Sequence, residues 1–243
     1  MASRLNVAGI AGSLRSASYS QVVLKSIARL LPEGTAVDSM DIGALPHYNE
    51  DLEHEAIPQS VVTARASIEQ SDAVIIVTPE FNHGLPGVLK NALDWLSRPA
   101  FTSCMQGKPV FFVTLSPGAL GGVRAQYQLR ETLSSMLCQL VPLPEIAITH
   151  VAAKVDSGEL TDGATLSFLA GHLQRFLGVV AAPRAKKRRD VVRSPLRTFV
   201  SVCVPLRPLT RFTEPKRGAS AQGARRARPK AGERPSTRPP TQE

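Results

Sequence analysis

The sequence predicts an α/β domain in which a five-stranded parallel sheet is covered by helices on both faces. Apolar runs of strand length alternate five times with segments that have helical periodicity. One run, at 72–78, contains the continuous β-branched segment Ala-Val-Ile-Ile-Val, which is typical of a strand buried on both faces. This alternation along the chain favours a doubly wound parallel sheet.

The predicted strands are short apolar segments that end close to glycine, proline or polar residues. They are expected at 5–11, 36–40, 72–78, 109–115 and 145–149. The hydrophobic fraction of the chain is 43%, which is sufficient for a core on both faces of such a sheet.

The predicted helices follow these strands and are expected at 18–31, 58–71, 86–96, 122–140 and 161–177. Pro86 fits the first turn of its helix, because an N–H group is not needed there. In the last helix Leu166, Leu169, Leu173 and Phe176 recur on one side and are expected to face the core. The segment 41–58 is predicted to be a long loop.

The composition changes after Ala182. Residues 1–182 carry 12 basic and 16 acidic side chains, whereas residues 183–243 carry 17 basic and 4 acidic side chains together with nine prolines. The net charges are therefore −4 and +13. Such a tail cannot bury enough apolar area to offset its ordering entropy, and it is expected to be mostly disordered. We therefore predict a folded domain at 1–182 and a basic tail at 183–243.

Neither a metal site nor a membrane segment is predicted. The three cysteines contain no C-x-x-C pair, and the five histidines have no metal-binding spacing. The first apolar run is too short for a signal-peptide core, and no segment approaches 18 uninterrupted apolar residues. A cytoplasmic protein is expected.

The first candidate site is the turn after the first strand, Gly-Ser-Leu-Arg-Ser-Ala-Ser-Tyr-Ser at 12–20. A strand that enters a helix through a small, hydroxyl-rich loop exposes backbone N–H groups that suit a phosphate. Arg15 adds a bidentate cation, and the serines add hydroxyl donors. An ordinary serine-capped helix start explains the same residues. The loop lacks both G-x-G-x-x-G and G-x-x-x-x-G-K-[ST], so dinucleotide-type and P-loop sites are disfavoured.

Two further loops follow the third and fourth strands. The segment 78–87 reads Thr-Pro-Glu-Phe-Asn-His-Gly-Leu-Pro-Gly, a stiff loop at the carboxyl end of a central strand, where open α/β sheets bind ligands. The segment 116–122 reads Ser-Pro-Gly-Ala-Leu-Gly-Gly, whose glycines allow a planar ligand to approach the backbone. Each loop could be a plain connector, but three such loops on one sheet edge favour a binding site.

These motifs resemble the NAD(P)H-dependent FMN reductase family, which includes flavin, quinone, chromate and azo-dye reductases. The similarity rests on G-S-L-R-x-x-S, on P-E-F-N-H-G-L-P-G-V-L-K-N-A-L-D-W-L-S-R and on S-P-G-A-L-G-G, and it extends from about residue 5 to about residue 177. It implies a flavodoxin-like fold with strand order 2-1-3-4-5, and FMN as the cofactor. The sequence departs from the family at Ser20, where Asn is frequent, and at Phe81, where Tyr is usual.

The resemblance also implies the residues that contact FMN. The phosphate would be held by Ser13, Arg15, Ser18, Tyr19 and Ser20. The isoalloxazine edge would lie along Pro79, Glu80, Phe81, Asn82, His83 and Gly84. The other side of the ring would be flanked by Ser116, Gly118 and Gly121. The family forms homodimers, often paired into homotetramers, partly through the helix that here carries Leu89, Lys90, Asn91, Asp94, Trp95 and Arg98.

The implied activity is hydride transfer from NAD(P)H through FMN to a small acceptor such as a quinone or free flavin. No catalytic acid–base residue is needed, because the flavin supplies the chemistry. A ping-pong cycle is expected, in which donor and acceptor use the same flavin face in turn. Two alternatives stay open: a flavodoxin-type electron carrier, and a nucleic-acid-binding protein that acts through the basic tail. The choice between NADH and NADPH is also open.

Overall fold

The computed structural model describes residues 5–187, with side chains described as far as residue 181. These residues all belong to the first of two compact units, Met1–Arg193. Apart from its first five residues, the predicted tail at 183–243 lies outside the described part of the chain, so its expected disorder and its nucleic-acid alternative stay sequence predictions.

The core of the molecule is the predicted parallel sheet. Its strands β1 (Asn6–Ala11), β2 (Ala36–Met40), β3 (Ala73–Pro79) and β4 (Pro109–Leu115) lie in the order β2-β1-β3-β4. The register pairs Val7 with Val37 on one side and with Ala73 on the other. The fifth position follows β4, so the flavodoxin-like order 2-1-3-4-5 is confirmed.

The fifth strand differs from the prediction of one continuous segment at 145–149. Two short strands, β5 (Gln139–Leu140) and β6 (Ala147–Ile148), both pair with β4 in parallel. Pro142 and Pro144 lie between them. Because proline has no N–H to donate to a ladder, the chain cannot continue as one strand through this segment.

Six α-helices are described: α1 (Tyr19–Leu30), α2 (Glu50–Glu55), α3 (Gln59–Gln70), α4 (Gly87–Leu96), α5 (Val123–Ser135) and α6 (Gly163–Lys187). The predicted helix at 122–140 was too long: Leu137 has a positive φ of 59°, and this left-handed residue closes the helix before β5. The prediction at 161–177 was too short, because α6 continues to Lys187 through Gly178 and Pro183, residue types of low helix propensity at which the sequence pattern predicts an end. The loop at 41–58 contains α2 and a 3₁₀ turn, Ile42–Ala44.

Two hydrophobic clusters cover the two faces of the sheet. On one face α1 and α6 pack against the strands through Val23, Ile27, Leu173 and Phe176. On the other face α3, α4 and α5 contribute residues that include Ile68, Leu93, Trp95 and Leu129. Successive β3 residues such as Ile75 and Ile76 point to opposite clusters, which explains why that strand is apolar throughout.

A small antiparallel hairpin lies beyond the sheet, formed by β7 (Val155–Asp156) and β8 (Glu159–Leu160). An exposed ion pair of 2.8 Å joins Arg29 Nη2 of α1 to Glu159 Oε1 of this hairpin. Within residues 5–187, none of the helices has the length and apolar character needed to cross a membrane.

Candidate functional site

Three loops meet at the carboxyl edge of the sheet. Loop 1 (residues 12–18) follows β1, loop 2 (residues 80–86) follows β3, and loop 3 (residues 116–122) follows β4. Because β1, β3 and β4 are neighbours in the sheet, their loops also lie side by side. The structure therefore brings the three predicted segments together at the edge where open α/β sheets bind ligands.

Loop 1 begins at a glycine that lies tightly against β3. The Gly12 backbone N–H donates to the Val77 carbonyl at 2.8 Å. A Cβ atom on Gly12 would lie 2.3 Å from Thr78 Oγ1 and 2.7 Å from Thr78 Cβ. Any side chain would push loop 1 away from β3, so glycine fixes the position of this loop.

The serines of loop 1 organise the start of α1. Ser18 is the N-cap, and its hydroxyl accepts from the backbone N–H of Ser20 at 3.2 Å. Ser20 is 1% exposed, and its own hydroxyl has no hydrogen-bond partner in the structure. The backbone N–H groups of residues 16–19 donate to no atom within the described residues. These groups form a set of unused donors at a helix N-terminus, which suits an anion.

The remaining predicted residues of this segment differ in exposure. The Arg15 side chain is exposed, whereas Ser13 and Tyr19 are half-buried. The Ser13 hydroxyl accepts a long hydrogen bond of 3.4 Å from the backbone N–H of Arg15. Arg15 makes no ion pair with the described residues, so its guanidinium is available to a ligand.

Loop 2 contains a β-hairpin with a two-residue turn. Phe81 and Gly84 exchange backbone hydrogen bonds of 3.0 and 2.9 Å. Between them Asn82 and His83 both have positive φ, 47° and 64°, as a tight hairpin turn requires. Asn and His tolerate this conformation better than most residues. Pro79 ends β3 just before the hairpin, so the loop is held on a rigid base.

Two side-chain contacts connect loop 2 to the start of α5. Glu80 Oε2 accepts from the backbone N–H groups of Arg124 and Ala125, at 2.9 and 3.1 Å. Gln128 Oε1 accepts from the backbone N–H of Leu85 at 2.6 Å. The N-cap residue of α5 is Gly122, which has no side chain to cap the helix. Glu80 therefore supplies the missing cap and places a carboxylate at the positive end of the helix dipole.

Loop 3 is held against the sheet by its backbone. The Ser116 N–H donates to the Ile148 carbonyl, and the His150 N–H donates to the Gly118 carbonyl, at 3.0 and 3.1 Å. Gly121 has a φ of 60°, and a Cβ there would lie 2.9 Å from the Ala147 carbonyl carbon. A Cβ on Gly118 would meet only Ser116 Oγ, at 3.5 Å. Gly121 is thus required by packing, while Gly118 leaves open space at the surface.

Each of the three loops exposes one large apolar side chain. Leu14 of loop 1 is 59% exposed, Phe81 of loop 2 is 55% exposed and Leu120 of loop 3 is 57% exposed. Apolar side chains on loops that also carry free backbone donors are typical of a site for a ligand with a planar ring and an anionic group.

The tryptophan of α4 lies in the core. Trp95 is fully buried, and its indole N–H donates to the Pro46 carbonyl at 2.8 Å. The Tyr48 ring packs edge-on against it, with 5.0 Å between the ring centroids. Arg98 Nε donates to the Tyr48 hydroxyl at 3.0 Å. Of the α4 residues named above, Trp95 and Leu89 are buried in the core of this domain, while Lys90 is exposed.

The thiols near the core are shielded. Cys104 and Cys138 are free cysteines. Burial raises the pKa of the Cys104 thiol to about 11 and that of the Cys138 thiol to about 12. Both are therefore protonated at neutral pH. Across residues 5–187, no group of three or more His, Cys, Asp or Glu side chains has a metal-binding arrangement.

The sequence did not identify Gln128 as a residue of this site. Gln128 belongs to a helix whose sequence pattern concerns core packing, and it contacts a loop 43 positions away. Gly122 was recognised only as part of a glycine-rich segment. Its φ of 81° and its proximity to the Glu80 side chain become visible only in the folded chain.

Comparison with known families gives a match over most of the described chain. The family model described as NADPH-dependent FMN reductase matches residues 5–153. This range contains all three loops, the sheet and five of the six helices.

Individual relatives agree with this match. A quinone reductase of Pseudomonas putida is 41% identical over 181 residues, which cover 74% of this chain and 97% of that protein. An NAD(P)H-dependent FMN reductase of Pseudomonas aeruginosa is 38% identical over 175 residues, which cover 72% of this chain and 94% of that protein. Among solved structures, the flavoenzyme FerB of Paracoccus denitrificans, an NAD(P)H:(acceptor) oxidoreductase, is 36% identical with a TM-score of 0.67. That alignment covers 73% of this chain and 98% of FerB.

Proposed function

The chain belongs to the NADPH-dependent FMN reductase family, and we propose that it transfers hydride from NAD(P)H through bound FMN to a quinone or another small acceptor. The observation that supports this most strongly is the meeting of loops 1, 2 and 3 at one sheet edge, within the range that the family model matches. The family assignment makes FMN the cofactor and NAD(P)H the co-substrate.

The residues present fit an FMN phosphate at loop 1. The buried Ser20 hydroxyl lacks a partner, and the backbone N–H groups of residues 16–19 are free at a helix N-terminus. We propose that these groups, together with Ser13, Ser18 and Arg15, bind the phosphate. A shorter Ser20 in place of the frequent Asn is compatible with this role, because its hydroxyl already lies unpaired in the helix start.

Loops 2 and 3 would hold the ring. We propose that Phe81, Asn82, His83 and Gly84 border one edge of the isoalloxazine, with Pro79 behind them. Loop 3 would cover another side through Ser116, Gly118 and Gly121. Backbone N–H groups in such loops stabilise negative charge on a reduced ring at no cost in reorganisation. Glu80 belongs to this region, and its hydrogen bonds to α5 support a role in fixing loop 2.

FMN, when bound, accepts a hydride from the nicotinamide and delivers reducing equivalents to the acceptor. The chain has to bind the cofactor, orient both substrates and leave one ring face open. Phe81 and Leu120 provide apolar contacts for a planar donor or acceptor at that face. Because all three loops lie at the same carboxyl edge of the sheet, we propose that donor and acceptor bind there one after the other, which is a ping-pong cycle.

A spectrum of the purified protein tests the proposal. We expect the absorbance of a bound oxidised flavin, which NADPH alone should bleach and a quinone should restore. Mass analysis should identify the released cofactor as FMN. An electron carrier of the flavodoxin type would keep its oxidised spectrum until a partner reductase is added. Release of FAD, or a spectrum that NADPH and NADH leave unchanged, would contradict the proposal.

The assembly and the location are further proposals. We propose a homodimer or homotetramer, supported by the exposed Phe101 beside a surface cavity of about 320 Å³ between α4 and α5. Light scattering of the purified chain measures the oligomeric state. We also propose a cytoplasmic location, because Cys104 and Cys138 are free thiols, as is usual in a reducing compartment.

A further inference from the structure

A second concave site lies beside loop 1, on the opposite side of β1 from loops 2 and 3. It is a cavity of about 250 Å³ at the carboxyl ends of β1 and β2, and its lining includes Ser13 and Leu14 of loop 1 but no residue of loop 2 or loop 3. Its floor is apolar and consists of the buried side chains Ala11, Leu24 and Ile42. Sites for complete drug-sized ligands occupy about 300–1,000 Å³, so this cavity fits a nucleoside-sized fragment rather than a whole dinucleotide.

The rim of the cavity is polar. Gln21 and Lys25 lie four residues apart on α1 and therefore share one face of the helix. Asp41 follows β2, and only its Oδ1 is used internally, as an acceptor for the Gly43 N–H at 3.0 Å. The Lys25 side chain is exposed and forms no ion pair with the residues that the structure describes. The rim thus presents a free cation and a carboxylate above an apolar floor.

We propose that this cavity binds the adenosine 2′-phosphate end of NADPH. The inference rests on the proposed function, because it supplies a place for the part of the donor that does not react. The apolar floor accepts the adenine, Asp41 accepts a hydrogen bond from the remaining ribose hydroxyl, and Lys25 pairs with the 2′-phosphate.

The position of the cavity agrees with this assignment. In the sheet order β2-β1-β3-β4, the distance from β2 to β4 is three strand spacings, or about 14 Å. An extended dinucleotide covers that distance, so its nicotinamide can reach the edge of loops 2 and 3 while its adenosine lies beyond loop 1. NADH has no 2′-phosphate, so Lys25 does not increase its affinity. This lysine is therefore a specificity-determining residue.

Calorimetric titration of the full-length, FMN-loaded chain tests the proposal with two probes, 2′,5′-ADP and 5′-AMP. We expect 2′,5′-ADP to bind about tenfold more tightly, as one charge-assisted contact provides. Lys25→Ala removes that difference, and Lys25→Glu reverses it. Arg175→Ala is the matched control, because Arg175 is an exposed cation on α6 that does not line the cavity. It should titrate like the wild type.

Steady-state kinetics provides the second measurement. Lys25→Ala should raise the ratio of KM for NADPH to KM for NADH about tenfold, and 2′,5′-ADP should compete with NADPH. Equal binding of 2′,5′-ADP to wild type and Lys25→Ala, or inhibition that is not competitive with NADPH, would overturn the proposal. Failure of the proposed function is a different result, because the wild type would then oxidise neither nucleotide.

Discussion

Glu80 at the start of loop 2 caps a helix that begins 43 residues later: its Oε2 lies 2.9 Å from the backbone nitrogen of Arg124 in α5. The same oxygen accepts from Ala125, and Arg124 Nη1 lies 3.7 Å from Glu80 Oε1. Because Gly122 leaves α5 without a side-chain cap, one carboxylate satisfies two helix donors and at the same time holds loop 2 against loop 3. We therefore expect stability and ligand binding to be coupled at this residue.

Replacing Glu80 tests that coupling. Glu80→Ala should lower the free energy of unfolding by about 0.5–2 kcal/mol, the usual cost of losing a helix N-cap. FMN affinity should fall as well, because loop 2 loses its attachment. Glu80→Gln keeps an acceptor oxygen and should have a smaller effect on both quantities. Urea unfolding and fluorescence titration with FMN measure them.

Glu131→Gln is the matched control for Glu80, because Glu131 is an exposed carboxylate in the same helix and has no hydrogen bond among the described residues. It should behave like the wild type in both measurements. A Glu80→Ala protein that unfolds and binds FMN like the wild type would show that the cap has no influence on loop 2.

Arg15→Ala is expected to weaken FMN binding by about 1.5–3 kcal/mol, the typical value of a hydrogen bond to a charged group. The fold should persist, because the Arg15 side chain is exposed on loop 1 and makes no ion pair with the described residues. Arg29→Ala serves as the control, since Arg29 lies in the last turn of α1, the helix that follows loop 1, and pairs with Glu159. If Arg15→Ala titrates with FMN like Arg29→Ala, the phosphate is bound without the guanidinium.

Gly12 lies so close to β3 that there is no room for a methyl group at this position. Gly12→Ala would place Cβ 2.3 Å from Thr78 Oγ1, and we expect a loss of about 1–3 kcal/mol in unfolding free energy from overpacking, together with weaker FMN binding. Gly171→Ala in α6 meets nothing within 4 Å and should stabilise the protein by about 0.4–1 kcal/mol. Urea unfolding measures both changes, and we expect a lower free energy of unfolding for Gly12→Ala and a higher one for Gly171→Ala. A Gly12→Ala protein with the unfolding free energy of the wild type would contradict the packing argument.

The strands β1 to β4 could be predicted to within one residue at each end, because β1, β3 and β4 are apolar runs bounded by turn residues and β2 is a short segment that follows the turn at Gly34. The fifth strand position of the sheet could not be predicted as accurately, since Pro142 and Pro144 divide it into β5 and β6. These two short strands are defined only by their pairing with β4. In the same way the three loops were visible as local patterns. The Glu80 cap and the Gln128 contact were not, because they join residues more than 40 positions apart, and no local pattern records such a contact.

The raised thiol pKa values of Cys104 and Cys138 predict both slow alkylation and a pH dependence of stability. In a Cys203→Ser background these two are the remaining cysteines. At pH 8 both thiols should react with iodoacetamide much more slowly in the native protein than in urea, because the thiolate is the nucleophile. Rapid alkylation of native protein at pH 8 would contradict their burial.

The sign of the pH effect follows from linkage. Unfolded thiols lose their proton near pH 9, while the folded ones keep it to about 11 and about 12. Between pH 9 and 11 the folded state therefore binds more protons, and stability falls as pH rises. Urea unfolding of the Cys203→Ser protein at pH 8 and 10.5, compared with its Cys104→Ala, Cys138→Ala derivative, should show the steeper decrease in the protein that has both thiols.

Removal of the basic tail is expected to leave the FMN-binding domain intact. The three loops lie between residues 12 and 122, and among the side chains that the structure describes the last buried in the core is Val180 of α6. A chain that ends after Ala182 keeps all of these, and a second chain that ends after Lys187 also keeps the whole of α6. The first truncation removes 17 basic and 4 acidic side chains, so the isoelectric point should fall from about 9.9 to the acidic range. Retention on a heparin column should therefore be lost, while bound FMN and NAD(P)H oxidation are kept.

If the tail instead supports a nucleic-acid-binding function, the full chain should retain an oligonucleotide at 0.2 M salt that the truncated chains release. Loss of flavin or precipitation of both truncated chains would show that residues beyond 187 contribute to the fold, and the domain boundary would then lie further along the chain.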